Sequence, residues 1–183
     1  MKLLVLTLKQ FQDIELVSFT SIMKASKKFT QIDFYSPDNL SEVVGQFDIA
    51  HIKTINSFDV NDYDVIYIPG GMGAKHLRTN QKGLDCVKQF VDNNKWVIAI
   101  CDAPNALSEN NILNKNDSYI SWSDGSMNDI NRIKDFNVQL NCSNKLITGR
   151  CSLTTLDLAF YSLEMIFSKE FSDELRTRLT GKA

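Results

Sequence analysis

Two short runs, Asp64-Val65-Ile66-Tyr67-Ile68 and Trp96-Val97-Ile98-Ala99-Ile100, are apolar at nearly every position. A strand with one wet face alternates apolar and polar residues, whereas a strand covered on both faces does not. Runs this continuous belong inside a sheet with helices on either side. Each run ends in a chain-turning element, Pro69-Gly70-Gly71 after the first and Cys101-Asp102-Ala103-Pro104 after the second. Helical periodicity alternates with the apolar runs. Residues Asp13–Lys28 place Leu16, Phe19 and Met23 on one face, and Gln81–Asn93 does the same with Leu84, Val87 and Val91. Ser152–Ser168 carries Leu153, Leu156, Phe160, Leu163 and Phe167 at three- and four-residue steps.

Strands that alternate with crossover helices predict an α/β fold: a doubly wound, mostly parallel sheet with helices on both faces. Further strands are expected at Lys2–Leu8, Gln31–Ser36 and Leu146–Thr148, with one or two short ones between Gln46 and Phe58. Further helices are expected at Ala103–Glu109 and Ser172–Leu179. The stretch Asn105–Asn144 holds ten asparagines and is expected to be mostly loops and turns. With 183 residues and no linker or repeat, the chain reads as one domain, 1–183. A chain of this size buries enough surface to need no disulfide or metal staple.

Several function classes drop out. The net charge is −2 and the lysines and arginines are scattered, so there is no basic stripe for nucleic acid. The apolar start, Met1–Leu8, stops at Lys9, which is too short for a membrane span, and no cleavage site follows. It reads as a first buried strand, and the expected location is the cytoplasm. The four cysteines, Cys86, Cys101, Cys142 and Cys151, form no Cys-x-x-Cys pair, and His51 and His76 stand far apart. No metal site is expected. Both histidines read as surface or structural residues, and Cys86 and Cys142 as structural ones.

Ligands in such folds sit beyond the carboxyl ends of the strands. Three loops leave those ends, after Leu8, Ile68 and Ile100. Cys101 stands at the third, between a buried strand and Pro104, a residue suited to a first helical turn. It reads either as a buried structural thiol or as a nucleophile on a strand-to-helix elbow, its sulfur facing helix amides that lower a thiol pKa. Glu15 lies in the first turn of the first helix. It reads either as an acid complementing the helix dipole or as a carboxyl group that meets the thiol, because the first loop and the Cys101 loop are expected to leave neighbouring strands. Asp13 is expected to cap that helix. Pro69-Gly70-Gly71-Met72-Gly73 reads as an oxyanion-binding loop or as a tight turn, and it is not a nucleotide fingerprint.

Taken together and in this order, these sites resemble the ThiJ/PfpI superfamily, within it the DJ-one (Parkinson-associated protein) branch. The resemblance is carried by Leu3–Leu8 with Glu15, by Tyr63-Asp64-Val65-Ile66-Tyr67-Ile68-Pro69-Gly70-Gly71 with Gly73-Ala74 and Leu77, and by Ala99-Ile100-Cys101 with Pro104 and Ala106-Leu107. Ile147-Thr148-Gly149-Arg150 with Thr154 and Ala159 adds the family's arginine turn and following helix. It implies a flavodoxin-like sandwich of the class I glutamine amidotransferase-like type, a homodimer, and no cofactor. It also implies Cys101 as the reactive cysteine, Glu15 as its partnering acid, and Gly70 and Gly71 as the loop beside the cysteine; the amides near Gly71 and Asp102 are expected to bind the oxyanion. The implied activity is on small reactive carbonyls, of glyoxalase or deglycase type, or in oxidative-stress response. The alternatives are a cysteine-oxidation redox sensor and a chaperone-like dimer without catalysis. The chain departs from the family pattern at three places. Asp102-Ala103 follows the cysteine where small residues are usual. Tyr119-Ile120-Ser121-Trp122-Ser123 replaces a histidine-bearing stretch. Arg150 is followed by Cys151-Ser152-Leu153. Trp122, Arg150 and Cys151 are accordingly expected at the pocket rim.

Overall fold

The computed structural model describes residues 1–114, 116–125, 129–141 and 145–181. In chain order the elements are β1 (Lys2–Leu6), α1 (Asp13–Ala25), β2 (Gln31–Tyr35), β3 (Glu42–Val44), β4 (His51–Lys53), β5 (Val65–Ile68), α2 (Met72–Leu77), α3 (Gln81–Asp92), β6 (Trp96–Ile100), α4 (Ala103–Glu109), β7 (Val138–Asn141), β8 (Leu146–Gly149), α5 (Thr155–Ile166) and α6 (Lys169–Leu179). The main sheet runs β2-β1-β5-β6-β8-β7. Its first five strands are parallel, and β7 lies antiparallel on the edge of β8. The two all-apolar runs are β5 and β6, side by side in the middle, as burial on both faces demands.

Alternate residues of these strands feed two cores. Leu4, Leu6, Ile66, Ile68, Val97 and Ala99 face α3 and α4, packing with Leu84, Val87, Phe90 and Leu107. Leu3, Val5, Val65, Tyr67, Ile98 and Ile100 face the other way, onto Leu16, Phe19 and Met23 of α1 and Leu158 and Leu163 of α5. A one-residue slip of any central strand would exchange these sets between the two layers. Among the described residues no helix is long and apolar enough to cross a membrane.

The structure departs from the sequence reading at several elements. α1 stops at Ala25 and not Lys28. Of the one or two short strands expected between Gln46 and Phe58, β4 lies inside that window, but its hairpin partner β3 begins at Glu42, upstream of it. The stretch from Ser152 opens with a 3-10 turn, Ser152–Thr154, before α5 begins. The last helix starts at Lys169, where the Ser168 hydroxyl accepts the Phe171 N–H. α2 and β7 were not anticipated. The first has six residues, too few to show a period, and the second is an edge strand inside the asparagine-rich stretch.

Asp13 does not cap α1. The Gln12 side chain does, accepting the Ile14 N–H at 2.6 Å. Asp13 is buried instead and accepts the N–H groups of Phe47 (2.9 Å), Ile49 (3.2 Å) and Ala50 (2.8 Å), tying α1 to the hairpin turn. Room for this carboxylate exists because residue 45 is glycine: a Cβ there would lie 2.2 Å from Asp13 Oδ1. Burial alone would raise the Asp13 pKa, but the three backbone donors outweigh it and the net direction is down. Its contribution to stability is therefore present above the ordinary carboxyl value and is lost as pH falls through the lowered one.

Candidate active site

Cys101 follows the last residue of β6 and has φ +62°, in the left-handed region that a non-glycine residue rarely occupies. The elbow is held from both sides. The Cys101 N–H donates to the Gly149 carbonyl at 3.0 Å, and the Cys101 carbonyl accepts the Trp122 N–H at 2.9 Å. The reversal lifts the side chain out of the sheet at its carboxyl edge, where α4 begins with Pro104 in its first turn. The N–H groups of Gly71 and Asp102 point at the sulfur.

Glu15 is fully buried. One carboxyl oxygen accepts the Gly70 N–H at 2.7 Å and the other accepts the Ser152 hydroxyl at 2.8 Å. The start of α1 is fixed by Tyr67 of β5, whose hydroxyl donates to the Glu15 carbonyl at 3.0 Å and whose ring stacks on Phe19 with centroids 3.9 Å apart. The Glu15 side chain lies within hydrogen-bonding range of the Cys101 thiol.

The route by which they meet differs from the expected one. β1 and β6 are not neighbours, because β5 lies between them. Glu15 reaches Cys101 over the end of β5, across Gly70. A Cβ on Gly70 would stand 2.5 Å from Cys101 Cβ and 2.8 Å from Glu15 Oε2. Gly70 thus serves the site by having no side chain. Gly71 serves by conformation, with φ +78°.

Burial raises the Glu15 carboxyl above its ordinary range, against the pull of its hydrogen bonds from Ser152, Gly70 and Cys101. Burial also pushes the Cys101 thiol up, and a charged Glu15 pushes it further. The Gly71 and Asp102 N–H groups act in the opposite sense and are outweighed. The sequence reading expected those amides to lower the thiol. They are in place, but desolvation and the adjacent carboxyl dominate. Two groups this close titrate as a pair, and the proton that one releases is available to the other.

Asp102 turns its side chain away from the sulfur. Its carboxylate takes both arms of the Arg78 guanidinium, at 2.7 and 2.9 Å, and the Asn105 amide at 2.9 Å. Only its backbone faces Cys101, so the extra acid at the elbow adds no repulsion to a thiolate. Arg78 and Ser152 were both missed in the sequence. Helical periodicity places Ser152 in a helix, and nothing beside Asp102 in the sequence marks Arg78 as its partner.

Cys101 opens on a cleft of about 430 Å³ whose wall includes Gly71, Asp102, Trp122, Cys151 and Ser152. Trp122 and Cys151 thus lie at the rim, the latter with its sulfur accepting the Thr154 N–H. Arg150 does not line the cleft. Its guanidinium donates to the Lys134 and Phe136 carbonyls and ties down the segment before β7. Cys86 is buried in α3, where burial raises its thiol, and Cys142 lies outside the described residues. His51 faces Glu42 and Asp48 on the exposed hairpin, and His76 is exposed on α2. Among the described residues no group of three or more His, Cys, Asp and Glu side chains is placed to hold a metal ion.

A flavodoxin-like sheet carrying a cysteine elbow, with a buried acid reaching it across a glycine, defines a class of cysteine-centred α/β proteins. The chain belongs to the DJ-1/PfpI family, whose sequence model matches residues 1–165. It is 30% identical over 171 residues to the putative cysteine protease YraA of Bacillus subtilis, covering 90% of this chain and 96% of that one. It is 25% identical over 130 residues to deglycase PfpI of Pyrococcus furiosus, covering 70% and 78%. Its fold matches that of oxidized DJ-1 from Toxoplasma gondii with a TM-score of 0.83 at 21% identity, over 98% and 97% of the two chains.

Proposed function

We propose that this protein is a cofactor-free cysteine enzyme of the cytoplasm that acts on small reactive carbonyls, with Cys101 as nucleophile and Glu15 as the group that moves the proton. The observation that carries this reading is the contact of a buried, raised carboxyl group with an elbow thiol that opens on a cleft. A relative named as a deglycase supports it. With a 2-oxoaldehyde such as methylglyoxal, sulfur adds to the aldehyde carbon, the carbonyl electrons move to oxygen, and the thiol proton passes to Glu15. The Gly71 and Asp102 N–H groups hold the new oxyanion. Glu15 hands the thiol proton to that oxyanion to give the hemithioacetal, and as a carboxylate again takes the proton from the former aldehyde carbon, forming an enediolate. It delivers this proton to the neighbouring carbon while the hydroxyl proton on the first carbon passes to the second oxygen, which leaves a thioester. The resulting thioester is hydrolysed by water to a 2-hydroxy acid. No histidine is needed for this sequence. Cys101→Ser is expected to abolish methylglyoxal consumption, read as lactate formed. Unchanged consumption would reject the mechanism and leave the oxidation-sensor and chaperone-like readings.

We infer further that the chain acts as a homodimer. Ile14 and Val17 of α1, Phe47 and Ile49 of the hairpin turn, and Leu153 and Leu156 beside the cleft are exposed apolar side chains, with Leu153 at 91% and Ile49 at 77% exposure. The Asp13 and Glu15 hydrogen bonds gather these elements on one side of the molecule. Exposed apolar side chains grouped this way favour a covered face. Sedimentation equilibrium should give twice 20.8 kDa for the protein and the single value for an Ile49→Asp, Leu153→Asp variant. A wild-type chain at the single mass would refute the dimer.

A further inference from the structure

We infer that the cleft selects reactive carbonyl compounds that also carry a carboxylate. The inference rests on Cys101 being the nucleophile and concerns what lies around it. Among the described residues, the side-chain NH₂ groups of Gln12 and Gln46 and the Lys75 ammonium line the cleft without an acceptor. The Gln12 side-chain oxygen is occupied by the Ile14 N–H at 2.6 Å, and that of Gln46 by the Met72 N–H at 3.1 Å. A backbone N–H requires the oxygen, so both amides are fixed in orientation and each leaves its NH₂ group unpaired among the described residues. The third donor is Lys75, exposed on α2, which makes no ion pair among the described residues.

The acceptors on the same wall are already engaged. The Asp102 carboxylate is held by Arg78 and Asn105, and both Glu15 oxygens are taken by Gly70 and Ser152 behind the sulfur. The remaining wall is supplied by Met72, Trp122 and Leu153 and the two thiols. Among the described residues the cleft is therefore rich in donors, and Lys75 is its one cation without an ion pair. A neutral aldehyde would use the Gly71 and Asp102 N–H groups and leave the other three donors idle. A carboxylate has acceptor sites for all three and the charge to match Lys75. The lysine is exposed, so its attraction is screened and amounts to a several-fold preference.

The test compares a negative with a neutral electrophile of similar size at the same sulfur. The full-length protein is alkylated in parallel with iodoacetate and iodoacetamide, and the rate at Cys101 is read by mass spectrometry of its peptide. The iodoacetate-to-iodoacetamide rate ratio is expected to fall about three- to tenfold in Lys75→Met, to be kept in Lys75→Arg, and to fall with added salt in the wild type. Glyoxylate, an aldehyde next to a carboxylate, should protect Cys101 from iodoacetamide at lower concentration in the wild type than in Lys75→Met. A ratio and a protection that Lys75→Met leaves unchanged would overturn this inference while leaving Cys101 as nucleophile. A Cys101 that reacts with neither reagent would overturn the nucleophile reading and this inference with it.

Discussion

Gly70→Ala is expected to lower carbonyl turnover at least about 100-fold and to destabilise the fold by about 2–4 kcal/mol. The added methyl would lie 2.5 Å from Cys101 Cβ, an atom one bond from the backbone that cannot swing aside, and 2.8 Å from Glu15 Oε2. The 69–71 loop must then retreat. Its retreat breaks the 2.7 Å hydrogen bond from Gly70 to Glu15 and leaves a buried carboxyl oxygen without its donor. Overpacking and the lost donor each contribute about 1–3 kcal/mol. Gly73→Ala is the matched control, since its Cβ meets nothing closer than 3.3 Å. Thermal melting and turnover of the two variants decide the matter. A Gly70→Ala protein with wild-type melting and rate would show that the acid and thiol do not need this opening.

Glu15→Gln is expected to separate stability from activity. Turnover should fall at least about 100-fold, the usual scale for removing a general acid–base group. The folded Glu15 is raised above its ordinary value by burial, so its contribution to stability is complete below the unfolded pKa and is lost as pH rises through the folded one. At neutral pH the neutral amide avoids that cost. It also fits the hydrogen bonds, with its oxygen accepting from Gly70 and its NH₂ donating to the Ser152 hydroxyl. The variant should melt as high as the wild type or higher, and turn over far less. The pH profile adds an independent reading. Wild-type turnover should fall as pH drops through the raised Glu15 value, and that acid limb should vanish in the variant. A wild-type profile retained in Glu15→Gln would place the titrating group elsewhere.

The parts of this site that were legible in the sequence are those that repeat a local pattern. β5 and β6 showed themselves because burial on both faces makes short unbroken apolar runs, of four and five residues, and Cys101 stood out because a turn follows such a run. Glu15 became a partner through the resemblance, since on spacing alone an acid in a first helical turn is ordinary. The parts that stayed hidden are contacts between distant positions. Ser152 reaches Glu15 across 137 residues of chain, and Arg78 reaches Asp102 across 24. Neither pair leaves a local trace. The strand order mattered most. With β5 set between β1 and β6, Gly70 changes from a turn residue to the opening through which two side chains meet. Asp13 was misread for a related reason, because its partners sit on a hairpin whose strands were only partly located.

Glu15 joins four parts of the molecule at once: α1 through its backbone, β5 through Gly70 and Tyr67, the elbow through Cys101, and the approach to α5 through Ser152. A segment secured this way is expected to open only with the rest of the fold. The Gly70 amide should exchange its hydrogen with solvent only through whole-molecule unfolding, far more slowly than the amides of the exposed hairpin turn. On the proposed mechanism, the Glu15 carboxyl and the Cys101 thiol would keep one arrangement from one encounter to the next, and a substrate would meet a socket already formed.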